Sequence, residues 1–225
     1  PSHGRAIREG IMSASFVADS SLCRGLSRIG VVGMGPEGES IAASSPERGF
    51  AKADVPGDDC DLLIMLNGVL RCGGERTLRI LLTTEPHTVN AGADAVITVS
   101  AAEERRLFDA LVASVKDPCI MGFDYSDFVE FFRQSPSKRF YAFAGTLAGG
   151  ADCAERISSR IQTAIDGKSR AGRVLFFLSA CKEWGLKEID GMIGAVSEMV
   201  DGPLIYSVRI DDRPLGKSGF CAIFN

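Results

Sequence analysis

The chain has 225 residues, is 45% hydrophobic and 24% charged, and carries 25 basic against 29 acidic residues for a net charge of −4. That length holds one large domain or two small ones, and the composition is that of a globular protein with a buried core. Acids and bases are interleaved, which excludes a nucleic-acid patch, and no apolar run approaches the ~20 residues of a membrane span.

In chain order, residues 1–27 read as an N-terminal extension. Met12 is taken as the native start, and the residues before it as foreign or poorly ordered. Ile11 to Val17 is interrupted by Ser13 and Ser15, so no secretory signal is expected. Four short apolar runs follow: Arg28–Val32, Leu62–Leu66, Arg79–Thr83 and Ala95–Val99. They lack alternation, which predicts strands buried on both faces, as in a parallel sheet. Ser100 with Glu103 predicts a capping box, and Leu107, Phe108, Leu111, Val112 and Val115 form one apolar stripe, so a helix spans 100–116. Pro118 ends it and marks the boundary between two halves.

The second half predicts a short helix in Asp124–Gln134 and a strand over Arg139–Ala144. A helix over Asp152–Ile165 and a strand over Arg173–Leu178 come next, then a helix over Leu186–Val200. Strands Leu204–Ile210 and Phe220–Phe224 close the chain, and the segment Asp211–Gly219 between them suits a hairpin. This order predicts an α/β fold. Residues 28–118 form a reduced Rossmann-like parallel-sheet domain including the central helix 100–116. Residues 119–225 form an α+β domain with a mixed sheet.

Seven scattered cysteines without a CxxC pair argue for reduced thiols and a cytoplasmic setting. Two histidines, His3 and His87, exclude a zinc cluster or a Ser/His/Asp triad; no metal site is expected. The segment Arg28–Ser40 ends a strand in Gly33-x-Gly35-x-x-Gly38. Such a turn either cradles phosphate with bare backbone N–H groups or is simply tight, and Pro36 removes one N–H a phosphate would use.

The second half resembles the C-terminal domain of FtsZ, in the FtsZ/tubulin superfamily. The resemblance is carried by MGFDYSDFVEFF, AGTLAGGADCAERISSRIQTAI, RVLFFLSACKEWGLKEIDGMIGAVSEMV and GPLIYSVRIDDRPLGKSGFCAIFN, in order over about a hundred residues. In the first half, RIGVVGMGPEG, DCDLLIMLNG, LRILLTTEP and ADAVITVS are similar to the superfamily's strands and first glycine loop, while the material between them is shortened. The resemblance implies a bacterial cytoskeletal GTPase fold with GTP as the possible ligand. It implies nucleotide-binding positions at Gly33, Gly35, Gly38, Gly68, Gly73 and Gly74. It also implies an intersubunit catalytic pair, Asp124 and Asp127.

The chain departs from the pattern. Leu70, Arg71, Cys72, Glu75 and Arg76 replace small residues of the second phosphate loop, and Gly122 stands where the pattern has Asn. Arg71 or Arg76 can pair with phosphate, while Glu75 repels it. Asp124 and Asp127 share a helix face, where acids also serve to stabilise the dipole.

The resulting reading is a cytoplasmic FtsZ/tubulin-related protein with degenerate GTP-binding loops, no cofactor, and itself or another FtsZ/tubulin-family subunit as partner. It has no tether tail after Asn225 and binds no nucleic acid. Two alternatives stand beside it: an active polymerising GTPase, and an unrelated Rossmann-type enzyme. Against the last, the ribose-binding acid is not placed at a strand end; Asp54, Asp58 and Asp59 lie in a Pro/Gly-rich loop.

Overall fold

The computed structural model describes residues 14–19, 28–48, 50–52, 60–68, 74–85, 92–117, 119–122, 124–148, 155, 157, 159, 160, 162, 163, 170–211 and 217–225. The four apolar runs of the first half become β2 (Arg28–Gly33), β4 (Leu62–Leu66), β5 (Leu78–Thr83) and β6 (Ala95–Thr98), paired in parallel. All five residues of β4 are buried because both faces of the sheet are covered. Leu62, Ile64 and Leu66 enter one core, Leu63 and Met65 the other.

Residues 14–19, assigned to the extension by the sequence reading, form β1 (Ala14–Asp19). It pairs antiparallel with β2 and with the short β3 (Ala51–Lys52). Met12 and the residues before it lie outside the described residues. Helix α1 (Gly35–Ala42) follows β2, and a 3-10 turn occupies Ser45–Arg48.

Helix α2 (Ala101–Lys116) and helix α3 (Tyr125–Arg133) lead into β7 (Arg139–Ala148). Beyond it lie β8 (Val174–Cys181), α4 (Leu186–Ser197), β9 (Leu204–Asp211) and β10 (Lys217–Phe224). Glu155, Ile157, Ser159, Arg160, Gln162 and Thr163 are helical, within the predicted helix 152–165. One ten-stranded sheet runs β3-β1-β2-β4-β5-β6-β7-β10-β8-β9, a mixed α/β architecture. Strand β6 pairs in parallel with β7, so the sheet continues from the first half into the second.

The expected terminal hairpin does not form. β10 pairs antiparallel with β7 and β8, and β9 pairs in parallel with β8. The eight residues of β8 are all buried, and a strand that apolar belongs between two neighbours rather than at an edge. Residues 212–216, inside the predicted turn, lie outside the described residues.

Helix α2 lays its stripe against both halves. Leu107, Phe108, Leu111, Val112 and Val115 share one core with Ile29, Ile64 and Ile80 of the first half. The same core holds Phe140, Leu175 and Ile223 of the second. Phe108 is fully buried, which contributes roughly 1.5–3 kcal/mol for a side chain of that size. The predicted capping box at its start is replaced by a side-chain contact. The Ser100 hydroxyl donates to Glu103 Oε2 at 2.7 Å, and the Glu103 carboxylate also pairs with Arg160. Among the described residues no helix is long and apolar enough to cross a membrane.

Candidate functional site: the two strand-end edges

Strands β2, β4, β5 and β6 run in parallel, so their carboxyl ends share one edge, the place where α/β sheets bind ligands. There β2 passes into α1 through Gly33, Met34 and Gly35. Gly35 has φ of 72°, the left-handed region that a side chain resists, so this glycine serves the turn. The others serve close packing. A Cβ at Gly33 would stand 2.2 Å from the Gly38 carbonyl oxygen. One at Gly38 would stand 2.7 Å from the Leu66 carbonyl oxygen, and one at Gly68 2.3 Å from Met34 Sδ. Met34 N–H also donates to the Leu66 carbonyl at 3.0 Å, tying the turn to the end of β4. In Gly33-x-Gly35-x-x-Gly38, then, Gly35 allows the left-handed turn, and Gly33 and Gly38 allow close helix-on-strand contact.

The second predicted phosphate loop is divided between the two edges. Gly68 lies at the carboxyl edge, beside Met34. Gly74 stands at the opposite edge, where its carbonyl accepts from the Arg79 guanidinium at 2.9 Å and from Thr77 N–H at 3.2 Å, just ahead of β5. The reason is the short crossover. A parallel connection ordinarily takes a dozen or more residues, and only residues 67–77 separate β4 from β5. They must cover a strand length, about 17 Å for five residues at ~3.3 Å each, to begin β5 in parallel register. Gly73, Leu70, Arg71 and Cys72 lie outside the described residues. Glu75 and Arg76 are exposed in the turn before β5, away from Gly33 and Gly35.

Two residues of the carboxyl edge were not singled out by the sequence. Asn67 has φ of 57°, its N–H donates to the Leu82 carbonyl at 2.9 Å, and its Nδ2 donates to Glu104 Oε1 at 2.9 Å. Glu104, in the first turn of α2, is 2% exposed. Burial raises its carboxyl above the ordinary carboxylate range, the Asn67 hydrogen bond opposes this, and the nearby charge of Glu37 adds to it. The signal was available: Glu104 falls on the same helical face as Leu107, Phe108 and Leu111, an acid set into an apolar stripe.

Asp124 and Asp127 lie at the amino edge. Asp124 caps α3: its Oδ1 accepts from Asp127 N–H at 3.0 Å and from the Ser126 hydroxyl at 2.5 Å. Asp127 Oδ2 accepts from Asp124 N–H at 3.2 Å, which completes a capping box. Both carboxylates are exposed, on a helix start that is firmly anchored. The Tyr125 hydroxyl donates to the Asp61 carbonyl at the start of β4, and burial pushes its phenol up, with Asp61 adding to the shift. Arg133 donates to the carbonyls of Arg76 and Thr77 at 3.1 Å each and pairs with Asp94 at 3.7 Å. Phe128, Phe131 and Phe132 are buried below, with Phe132 edge-on to Phe140 at 5.1 Å. Gly122 is exposed just before this helix.

Within one molecule, then, the sheet brings Gly33, Gly35, Gly38 and Gly68 together and holds Asp124 and Asp127 at the far ends of the same strands. Among the described residues no three His, Cys, Asp or Glu side chains group as metal ligands. Among the described residues Cys60, Cys181 and Cys221 are buried and Cys119 is half-buried, and none of the four is in a disulfide. His87 lies outside the described residues.

No family model matches the chain, and no curated protein matches it in sequence. Solved structures do match in fold. A single-substitution mutant of FtsZ from M. jannaschii superposes with a TM-score of 0.57 at 12% identity, over 83% of this chain and 69% of that one. The FtsZ dimer, empty, from M. jannaschii superposes with a TM-score of 0.56 at 12% identity, over 84% and 67%. The chain has an FtsZ/tubulin-like fold.

Proposed function

We propose that the chain is an FtsZ/tubulin-related module that has lost GTP turnover and associates end to end with itself or with another subunit of this fold. The short crossover between β4 and β5 carries the reading. It spends the second phosphate loop on joining two parallel strands and leaves Gly74 an edge away from Gly68. Phosphoryl transfer depends on orienting and neutralising the phosphates, and the glycines that would do this instead let α1 and Met34 pack closely. The exposed acids of α3 sit at the opposite edge, so they meet the glycine turns only across two copies stacked along the strand direction. One solved structure of this fold is a dimer. In this reading residues 28–118 are the reduced nucleotide-domain part, residues 119–225 the FtsZ-like part, and the protein works in the cytoplasm.

Sedimentation velocity with and without GTP, alongside calorimetric titration of GTP and a phosphate-release assay, tests this. The expected result is association independent of nucleotide, no low-micromolar GTP binding and no release. Phosphate release that climbs with protein concentration and vanishes in Asp124→Ala would establish the active polymerising GTPase instead, the reading favoured by the survival of both exposed acids.

A further inference from the structure

Strand β6 pairs with β7 as far as Thr98 and Tyr141, and β7 then runs on to Ala148. Past Thr98 the chain leaves the sheet and turns through Ser100 into α2. Where β6 stops, a cleft of about 780 Å³ opens toward solvent beside Tyr141 and Phe143, bordered also by Thr84, Thr98, Arg106 and Arg160. Small-molecule sites ordinarily occupy roughly 300–1,000 Å³. One wall is aromatic. Tyr141 is 46% exposed although β7 is an interior strand, with β6 on one side and β10 on the other. Two residues on, Phe143 is buried, and the Arg160 guanidinium lies over its ring at 5.9 Å. The helical cover that Arg160 brings to Phe143 stops short of Tyr141, which is left lining the cleft.

The charge of the cleft comes down to one residue. Among the described residues its charged side chains are Glu103, Arg106 and Arg160. The Glu103 carboxylate pairs with Arg160 and accepts from the Ser100 hydroxyl at 2.7 Å, so those two charges offset each other. Arg106 is exposed and makes no ion pair among the described residues, which leaves the cleft positive.

We propose that this cleft binds a small aromatic carboxylate, with its ring against Tyr141 and its carboxylate on Arg106. A ligand ring gives Tyr141 an offset or edge-on partner and covers apolar surface that is otherwise wet. A guanidinium takes both oxygens of a carboxylate in a planar fork, and one unpaired guanidinium matches a single negative charge. The Glu103–Arg160 pair ties α2 to the helical segment across the cleft, so both sides are in place before a ligand arrives. None of Gly33, Gly35, Gly38 and Gly68 borders the cleft, so the proposal stands apart from the fate of GTP.

The test titrates 2-naphthoate by calorimetry into the unchanged chain, Arg106→Gln and Tyr141→Ala. 2-Naphthamide, the same ring without the charge, is titrated alongside. The unchanged chain should give saturable heat with the acid and bind the amide about fivefold more weakly, near the upper limit for an exposed ion pair. Arg106→Gln should weaken the acid by the same factor and leave the amide unchanged. Tyr141→Ala should weaken both by about tenfold. Arg106 and Tyr141 are both exposed, and an unchanged far-ultraviolet circular dichroism spectrum checks that each variant folds. No saturable heat with 2-naphthoate overturns the proposal, as does an affinity that neither substitution changes. Equal losses of acid and amide in Arg106→Gln overturn the pairing of the carboxylate with Arg106.

Discussion

The two edges of the parallel strands carry the same kind of sequence signal and use it differently. At the carboxyl edge, glycines spaced like a phosphate turn are pressed against Leu66, Gly38 and Met34. At the amino edge, two acids spaced like a catalytic pair close a capping box on each other and remain exposed. At the first edge Gly33, Gly38 and Gly68 face their own chain, and at the second both acids face outward. A residue pattern thus reports which backbone geometry is permitted, while the neighbours decide whether that geometry faces a ligand, its own chain or another molecule.

The largest expected effect tests whether both edges belong to one body. Phe108 is fully buried in the core shared by both halves, so Phe108→Ala should lower stability by about 3–5 kcal/mol. Chemical denaturation followed by circular dichroism and by Trp184 fluorescence should shift as a single transition. Two separated transitions would show that the β6–β7 pairing does not couple the halves.

Next in size is the packing of the carboxyl edge. Gly33→Ala places a methyl 2.2 Å from a backbone oxygen and should destabilise by at least the roughly 1–3 kcal/mol typical of overpacking. Gly35→Ala has open space around its Cβ position and should lose only the left-handed backbone preference, about 1 kcal/mol. Equal losses at the two positions in urea melts would mean that close packing is not what sets Gly33 apart.

At the amino edge, Asp124→Ala removes a cap and should destabilise by about 1 kcal/mol, within the range of roughly 0.5–2. Asp124→Asn retains the acceptor and should recover most of this. A loss unchanged by asparagine would assign the effect to charge rather than to capping.

The smallest effect is a pH profile. The Glu104 carboxyl is raised in the folded state, so its favourable contribution is complete below the ordinary carboxylate value of 4.5 and is lost as pH rises through the folded value. Glu104→Gln should remove that decline, so the variant gains on the parent as pH climbs from acid to neutral. Parallel stability curves for the two proteins would show the carboxylate to be unperturbed.

Much of the fold was legible. The short runs at Leu62–Leu66 and Ala95–Thr98 and the stripe of α2 are unbroken apolar signals whose burial needs no knowledge of partners. Three features were not. β1 is short and antiparallel, stable only once β2 offers its edge. The order β10-β8-β9 depends on which strands compete for the most buried neighbour, whereas turn residues speak only for the local bend. The Ser100 hydroxyl bonds to the Glu103 carboxylate instead of capping the backbone, and that carboxylate also pairs with Arg160, 57 residues further along the chain.

The candidate site divides in the same way. The sequence by itself determined the glycines, the two acids and the chain length left between β4 and β5, because backbone permissiveness, helix capping and the reach of a short crossover are local properties. Only the tertiary structure decided that Met34 packs on Gly68, that Glu104 is buried against Asn67, and that Asp124 and Asp127 stand an edge away. Those outcomes depend on contacts between segments distant in sequence, where the burial of one side chain is set by the shape of another.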